Sequence, residues 1–298
     1  MGKGVQDDET FSSILEESLK SKKLKIKGKT VQVLNAGVNS YAPIISFLQL
    51  KKQLWKLGPD LVVLNLDMSD LIQELAYRNA ANYGDDGEII GVSGASPTTW
   101  LWFLGALPPK EDEDKESKIR STAITLETRR WINRHLFITR LLYLWIDGVF
   151  KESEEITIDN TVTLRYGNLL KHTLAADESG IKEQWEKVFD SIKEIKKYCD
   201  DRNIDFLLTI YPWAHQVNDK EWASGRKDFI PDNSSISDRS IYTILDLAEK
   251  ENIKILNVFR SFRSYNDTAP LYFNHDMHWT PKGHQLMAEE LEQFLIRR

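Results

Sequence analysis

The sequence predicts an α/β fold with helices on both faces of a parallel sheet. Two apolar runs, residues 29–37 and 59–67, are short, continuous and bounded by turn residues, as buried parallel strands are. An amphipathic segment, residues 43–57, lies between them and completes a strand–helix–strand unit. The same alternation of patterns resumes after residue 180. We therefore expect a three-layer α/β/α sandwich.

The C-terminal part of the chain supplies the remaining predicted elements. A single apolar stripe predicts the first helix there, and Thr280 followed by Pro281 is a typical helix start. Pro212 ends a buried apolar strand. The predicted order is helix 181–201, strand 204–211, helix 240–251, strand 253–258 and helix 281–296.

The middle of the chain, about residues 79–180, does not follow this alternation. It contains a Gly/Ser-rich loop, the apolar segment TTWLWFLGALPP, the acidic run KEDEDKES and a long helical pattern ending near Phe150. We expect a helical insertion that packs over one end of the sheet. The prediction is one domain, residues 1–298, with this insertion inside it.

Composition excludes several classes of protein. A net charge of −6 provides no basic face for nucleic acid. The single cysteine, Cys199, excludes an intramolecular disulfide. No signal peptide or membrane span is predicted, and the compartment stays open. No cofactor is predicted. A cytosolic flavodoxin-like binding protein is a third alternative, which is disfavoured because no Gly-rich phosphate loop follows a strand.

The strongest chemical signal is the segment YFNHDMHWTPKGHQLMAEEL, residues 272–291. It places Asp276 and His278 two residues apart, and residues so spaced in an extended segment point the same way. An imidazole oriented by a carboxylate is the general base that a serine nucleophile needs. A solvated polar turn remains the structural alternative. A metal site that also uses His275 and His284 ranks below the catalytic pair, because no supporting carboxylate cluster is evident.

This segment resembles the C-terminal block of GDSL/SGNH hydrolases, in which an Asp and a His precede a helix that starts with Pro-x-Gly-His. Three further segments resemble family blocks in the same order: NAGVNSY, PDLVVLNLDMSDL and IYPWAHQ. The resemblance implies a flavodoxin-like fold and His278 and Asp276 as catalytic residues. It also implies that the Gly37 N–H binds the oxyanion. Residues expected to lie near the cleft are Asn39, Asp70, His215 and Trp279.

Two departures from the family pattern affect the site. Ser69 stands where the family has an oxyanion-binding Asn, so Ser69 is the expected second oxyanion donor. The Gly-Asp-Ser block, which carries the nucleophile, does not occur in this sequence. The first residues, MGKGVQDDETF, resemble the segment that follows that block. We therefore expect Met1 to lie just after a missing first strand, and an extracytoplasmic location fits if an upstream segment exists.

The resemblance implies a serine esterase or O-acyltransferase that acts on acyl esters of carbohydrate. Nine tryptophans include four in the insertion, and the segment 98–109 could be core or a surface that faces a membrane or a partner. The main alternative is a catalytically silent domain that binds glycan or protein. The acyl group, the acceptor and the oligomeric state stay open.

Overall fold

The protein is described here from a computed structural model, which describes residues 4–26, 28–85, 87–92, 170–175, 180–230 and 234–297. Most of the predicted insertion lies outside these residues, as do the tryptophans predicted within it. No helix in the described ranges is long and apolar enough to cross a membrane.

Nine helices and nine strands are named in the described residues. The strands are β1 Lys25–Ile26, β2 Lys29–Thr30, β3 Leu61–Leu66, β4 Ala81–Tyr83, β5 Ile89–Val92, β6 Asp205–Ile210, β7 Ile255–Asn257, β8 Tyr272–Phe273 and β9 Asp276–Trp279. The helices are α1 Phe11–Ser21, α2 Pro43–Lys52, α3 Asp70–Asn79, α4 Ile181–Asp200, α5 Ala214–Val217, α6 Ala223–Phe229, α7 Arg239–Lys250, α8 Phe259–Ser264 and α9 Pro281–Ile296.

The central sheet has the order β3–β6–β7, and both pairings are parallel. Leu61 pairs with Asp205 at one end of β3, and Leu66 pairs with Ile210 at the other. This sheet confirms the predicted α/β class with parallel strands. The pairs β1–β2, β4–β5 and β8–β9 are separate antiparallel hairpins.

Helices cover both faces of β6. Phe206 and Leu208 pack into a cluster with side chains of α2, α4 and α7, whereas Leu207 packs into a second cluster with α1 and α9. Successive side chains of a strand point to opposite faces, so the two clusters lie on opposite sides of the sheet. The arrangement is compatible with three α/β/α layers.

The predicted helices agree closely with the structure. Helix α9 has the predicted bounds, and Thr280 caps it by accepting the Gly283 N–H at 3.3 Å. Helix α2 is shorter than predicted, because the chain tightens into a 3₁₀ turn at Leu54–Leu57 and Gly58 then takes a left-handed conformation. The predicted strand 253–258 is reduced to the three residues of β7.

The predicted parallel strand at residues 29–37 is wrong. Only Lys29–Thr30 is a strand, and it pairs antiparallel with Lys25–Ile26. The next residues alternate in burial, with Val31 and Val33 half-buried and Leu34 58% exposed. A strand requires a partner for its backbone, and the described residues provide none beyond β1. The Val33 N–H instead donates to Glu16 Oε2 at 3.0 Å.

Strand β3 has an open edge, in the sense that no strand among the described residues pairs with its side opposite β6. The Asp205 N–H donates to the Asp60 carbonyl at 3.0 Å, so alternate residues of β3 turn their backbone groups toward β6. The backbone groups of Leu61, Val63 and Asn65 therefore face away from β6, and no described residue hydrogen-bonds to them. Strand β3 carries no charged residue. An uncharged apolar edge of this kind is a template for another strand.

Glu74 of α3 holds three helices together. Its fully buried carboxylate accepts the Ile44 N–H of α2 at 2.8 Å, the Ser191 hydroxyl of α4 at 2.5 Å and the Arg78 Nε at 3.0 Å. Burial raises the pKa of Glu74 to about 7, although these hydrogen bonds and Arg78 act in the opposite direction. Burial also raises the pKa of Asp70 well above its usual value.

We predict that the contribution of Glu74 to the stability of the protein falls as pH rises from about 5 to about 8. A carboxyl whose pKa is raised on folding binds more protons in the folded state, so its contribution is full below its unfolded pKa and is lost as pH rises through its folded pKa. With a folded pKa of about 7, Glu74 accounts for ~3 kcal/mol of this loss. Urea unfolding at several pH values measures it.

This contribution is absent from Glu74→Gln, so the difference in unfolding free energy between the wild type and this variant should fall over the same pH range. Ser191→Ala is the matched control, because its hydroxyl lowers the pKa of Glu74 and its loss should move the transition to higher pH. A Glu74→Gln protein with the same slope as the wild type would contradict the assignment.

Candidate functional site

The carboxyl ends of β3 and β6 meet the last strand of the chain. Tyr211 follows β6, and its hydroxyl donates to Asp67 Oδ2 at 2.9 Å, just after β3. The ring of Tyr211 packs against that of Trp279, with centroids 4.5 Å apart. Tyr211 thus joins the end of β3 to strand β9, at the edge where open parallel sheets bind ligands.

Asp276 and His278 form a hydrogen-bonded pair on β9. The ring Nδ1 of His278 bonds to Asp276 Oδ1, and the His278 backbone N–H donates to the same oxygen at 3.1 Å. If the carboxylate is ionised it only accepts hydrogen bonds, so Nδ1 is the donor, and in the neutral ring Nε2 then has the lone pair. Each side chain is 42% exposed, so the pair is accessible from solvent.

Trp279 and His284 are the packed aromatic residues that follow the Asp276–His278 pair in the chain. Trp279 is buried and packs against Phe262, Phe11 and His284, with ring centroids 5.7, 6.1 and 5.4 Å away. The Nδ1 of His284 accepts the Phe11 N–H at 3.3 Å, and burial lowers the pKa of His284 to about 4. His284 is therefore a neutral packing residue. Within the described residues, no group of His, Cys, Asp and Glu could hold a metal ion.

A tight turn after β3 holds Ser69. The hydroxyl and the backbone N–H of Ser69 both lie 2.5 Å from Asp67 Oδ1 and donate to it. Asp70 is buried and accepts the Asp67 N–H at 2.8 Å, so it fixes the turn. The Ser69 hydroxyl would have to leave Asp67 before it could donate to an oxyanion.

The loop that carries Gly37 is exposed. The Gly37 N–H donates to Asn35 Oδ1 at 3.2 Å, and Asn39 is exposed in the turn that follows. Ser40 has a φ of 63°, and its carbonyl accepts the Tyr77 hydroxyl at 2.8 Å. Helix α3 thus holds this loop through Tyr77, close to where Glu74 of the same helix bonds to α2.

The structure does not place His215 at an open cleft. His215 is 1% exposed, and its Nε2 lies 2.7 Å from the Thr173 hydroxyl. Burial lowers the pKa of His215 to about 3, so the ring is neutral. His215 is therefore not at the predicted position beside an open cleft, because α5 turns its side chain into the core.

No nucleophile accompanies His278 in the part of the chain that the structure describes. No serine, threonine or cysteine side chain there hydrogen-bonds to its ring. Ser12 is buried at the start of α1, and the Ser13 hydroxyl donates to the Asp7 carbonyl at 2.7 Å. Both belong to the first turn of the helix that Thr10 caps.

Two residues that matter at the site were missed by the sequence analysis. Tyr211 is predicted only as the end of a buried strand, although a tyrosine at the carboxyl end of a strand is itself an indication of a site. Glu221 gave no signal, since it stands in the polar segment NDKEW. Its buried carboxylate nevertheless accepts the N–H groups of Leu271 and Tyr272.

Comparisons with known proteins yield little. No family model matches the sequence, and no curated protein matches it. Among solved structures, a crystal structure of an acetyl xylan esterase, AlAXEase, is similar over 98% of this chain and 92% of that chain, with a TM-score of 0.46 and 11% identity. A likeness at this level identifies neither the fold family nor the activity of this chain.

We predict that Asp276→Asn changes the tautomer of His278. Without the carboxylate, Nδ1 has no anionic acceptor, so the proton should move largely to Nε2, the commoner form of free histidine. Long-range ¹H–¹⁵N correlation spectra at a pH where the ring is neutral report which nitrogen is protonated. Asp267→Asn removes an exposed carboxylate from the preceding loop and serves as the control. An unchanged His278 tautomer in Asp276→Asn would show that the pair does not form.

Proposed function

We propose that this fold performs SGNH-type serine hydrolase chemistry on ester-linked acyl groups, with His278 as general base and Asp276 as the residue that orients it. The observation that carries the proposal is the hydrogen bond between His278 Nδ1 and Asp276 Oδ1. It lies beside the carboxyl ends of two parallel strands and leaves Nε2 able to accept a proton.

The residues would act in the following order. His278 Nε2 takes the proton of a serine hydroxyl as that oxygen attacks the ester carbonyl, and Asp276 stabilises the resulting imidazolium. The Gly37 N–H and the Ser69 hydroxyl are the proposed donors to the tetrahedral oxyanion, after both leave their present acceptors. His278 then returns the proton to the departing alkoxide. Water, or an acceptor hydroxyl in a transferase, releases the acyl group by the reverse steps.

The open edge of β3 supports the proposal that a first strand is missing. A parallel strand there would bond to the backbone groups of Leu61, Val63 and Asn65. The carboxyl end of this added strand would lie beside the carboxyl end of β3, where Asp67 and Tyr211 lie. A serine placed just after such a strand, as in the Gly-Asp-Ser block, would lie at the same end of the parallel strands as His278.

An acylated carbohydrate is the proposed substrate class, on the basis of the resemblance of the C-terminal block. Trp279 does not add to this proposal, because its ring is buried by Tyr211, Phe262 and His284 rather than presented to a ligand. The substrate class therefore rests on the family resemblance alone.

A catalytically silent binding domain is the second candidate. Three observations favour it: the Ser69 hydroxyl bonds to Asp67, the Gly37 N–H bonds to Asn35, and no described hydroxyl or thiol bonds to His278. The two candidates share the fold and differ in whether a serine reaches the His278 ring. An assay of the chain without that serine cannot separate them, since both predict no turnover.

We predict that joining a strand ending in Gly-Asp-Ser before residue 1 produces hydrolysis of a small acetyl ester. In this extended protein, His278→Ala should lower kcat/KM by about 10³-fold, because both proton transfers lose their base. His275→Ala is the matched control, since it removes an exposed histidine of the same hairpin and should leave the rate unchanged.

The added serine itself is tested by its replacement with alanine, which should abolish turnover. Hydrolysis that survives His278→Ala would refute the general-base assignment. A folded extended protein without turnover, confirmed by an unchanged circular dichroism spectrum, would favour the silent binding domain.

A further inference from the structure

A buried carboxylate lies next to the hairpin that carries Asp276 and His278. Glu221 is 5% exposed and forms no ion pair with any lysine, arginine or histidine in the described ranges. Its two oxygens accept the Leu271 N–H at 3.0 and 3.1 Å and the Tyr272 N–H at 3.0 Å. A buried carboxylate without a counter-charge is costly, so these backbone groups are what retain it.

The two N–H groups belong to the start of the hairpin. Tyr272 pairs with Trp279 across β8 and β9, and the Thr280 N–H donates to the Leu271 carbonyl at 2.9 Å. His278 lies next to Trp279 in β9. Residues 271–272 are therefore bonded to the two residues that follow His278 in the chain.

The loop that presents Glu221 is built at a conformational cost. Trp222 has a φ of 56°, a left-handed conformation that a bulky residue rarely adopts, and it is 2% exposed. Gly225 lies so close that a Cβ there would stand 1.9 Å from the indole of Trp222. Asn218 Oδ1 accepts the Glu221 N–H at 3.1 Å. These contacts hold the carboxylate toward the hairpin.

A second bond ties the same loop to the hairpin. The Ser224 N–H donates to Asn274 Oδ1 at 3.1 Å, two residues before Asp276. This bond is exposed, unlike those of Glu221. The loop 218–225 thus contacts both ends of β8.

We propose that Glu221 is a positioning residue, whose carboxylate holds the β8–β9 hairpin so that His278 meets Asp276 in the required geometry. This proposal rests on the proposed function in one respect: the pair that Glu221 positions contains His278, the proposed general base. We therefore expect that replacing the Glu221 carboxylate changes the orientation of the His278 ring, although Glu221 does not contact His278. An amide at this position would turn its NH₂ group toward a backbone N–H, so one bond is lost and a donor faces a donor.

The test compares Glu221→Gln with Glu292→Gln in the full chain. Glu292 is the matched control, because it is also a buried carboxylate, bonded to Ser18 and Lys22 away from the hairpin. The readouts are the tautomer signals of the His278 ring in long-range ¹H–¹⁵N spectra and hydrogen exchange at the amides of residues 271 and 272. Neither needs turnover, so failure of this proposal and failure of the hydrolase proposal are distinguishable.

Glu221→Gln should broaden or shift the His278 ring signals and raise exchange at the residue 271 amide by about tenfold, because the bond from Leu271 to the second oxygen is lost, whereas Glu292→Gln should leave both readouts unchanged. Unchanged His278 signals in folded Glu221→Gln would overturn the proposal. Equal changes in both variants would also overturn it, because the cause would then be general loss of stability.

If Glu221→Gln does not fold, Asn274→Ala decides the question. It removes the exposed second tie and should shift the His278 ring signals in the same direction as Asp276→Asn, to a smaller extent. A His278 spectrum identical to that of the wild type in Asn274→Ala would then overturn the proposal.

Discussion

Buried carboxylates bonded to backbone N–H groups hold every loop of the candidate site. Asp70 accepts the N–H of Asp67 after β3, Glu74 accepts that of Ile44 after the Gly37 loop, and Glu221 accepts those of the hairpin. Burying a carboxylate is unfavourable, so each needs hydrogen-bond donors directed at it, and all three accept at least one backbone N–H. The raised pKa values of Asp70 and Glu74 reflect this unfavourable loss of hydration on burial.

The sequence predicted the elements whose own side chains reveal their environment. Helix α4 buries the stripe that its 3.6-residue period indicates, and Thr280–Pro281 begins α9 as predicted. Residues 31–34 show the limit of this reasoning. Their alternation of burial is that of a strand, but period alone does not reveal whether another strand lies beside them. The structure gives them no ladder partner among the described residues.

The same distinction separates the predictable part of the site from the rest. Asp276 and His278 are two residues apart in one extended segment, so the sequence alone predicts that they can come together. Tyr211 and Asp67 are 144 residues apart, and Glu221 and Tyr272 are 51 apart, so only the fold brings each pair together. Acidic residues in polar segments are ordinarily solvated, and for that reason neither Glu74 nor Glu221 stood out in the sequence.

The hydrogen bond of the Ser69 hydroxyl connects the open edge of β3 with the proposed oxyanion site. Its hydroxyl donates to Asp67, which also accepts the Tyr211 hydroxyl, so the carboxylate has two side-chain donors at the carboxyl edge of the sheet. A strand added beside β3 would bring the backbone N–H groups that follow it to this edge, and such groups also bond to carboxylates. An N–H that replaced the Ser69 hydroxyl on Asp67 would free that hydroxyl for an oxyanion. Under the proposed function, a strand that completes the sheet would therefore both supply the nucleophile and release the Ser69 hydroxyl.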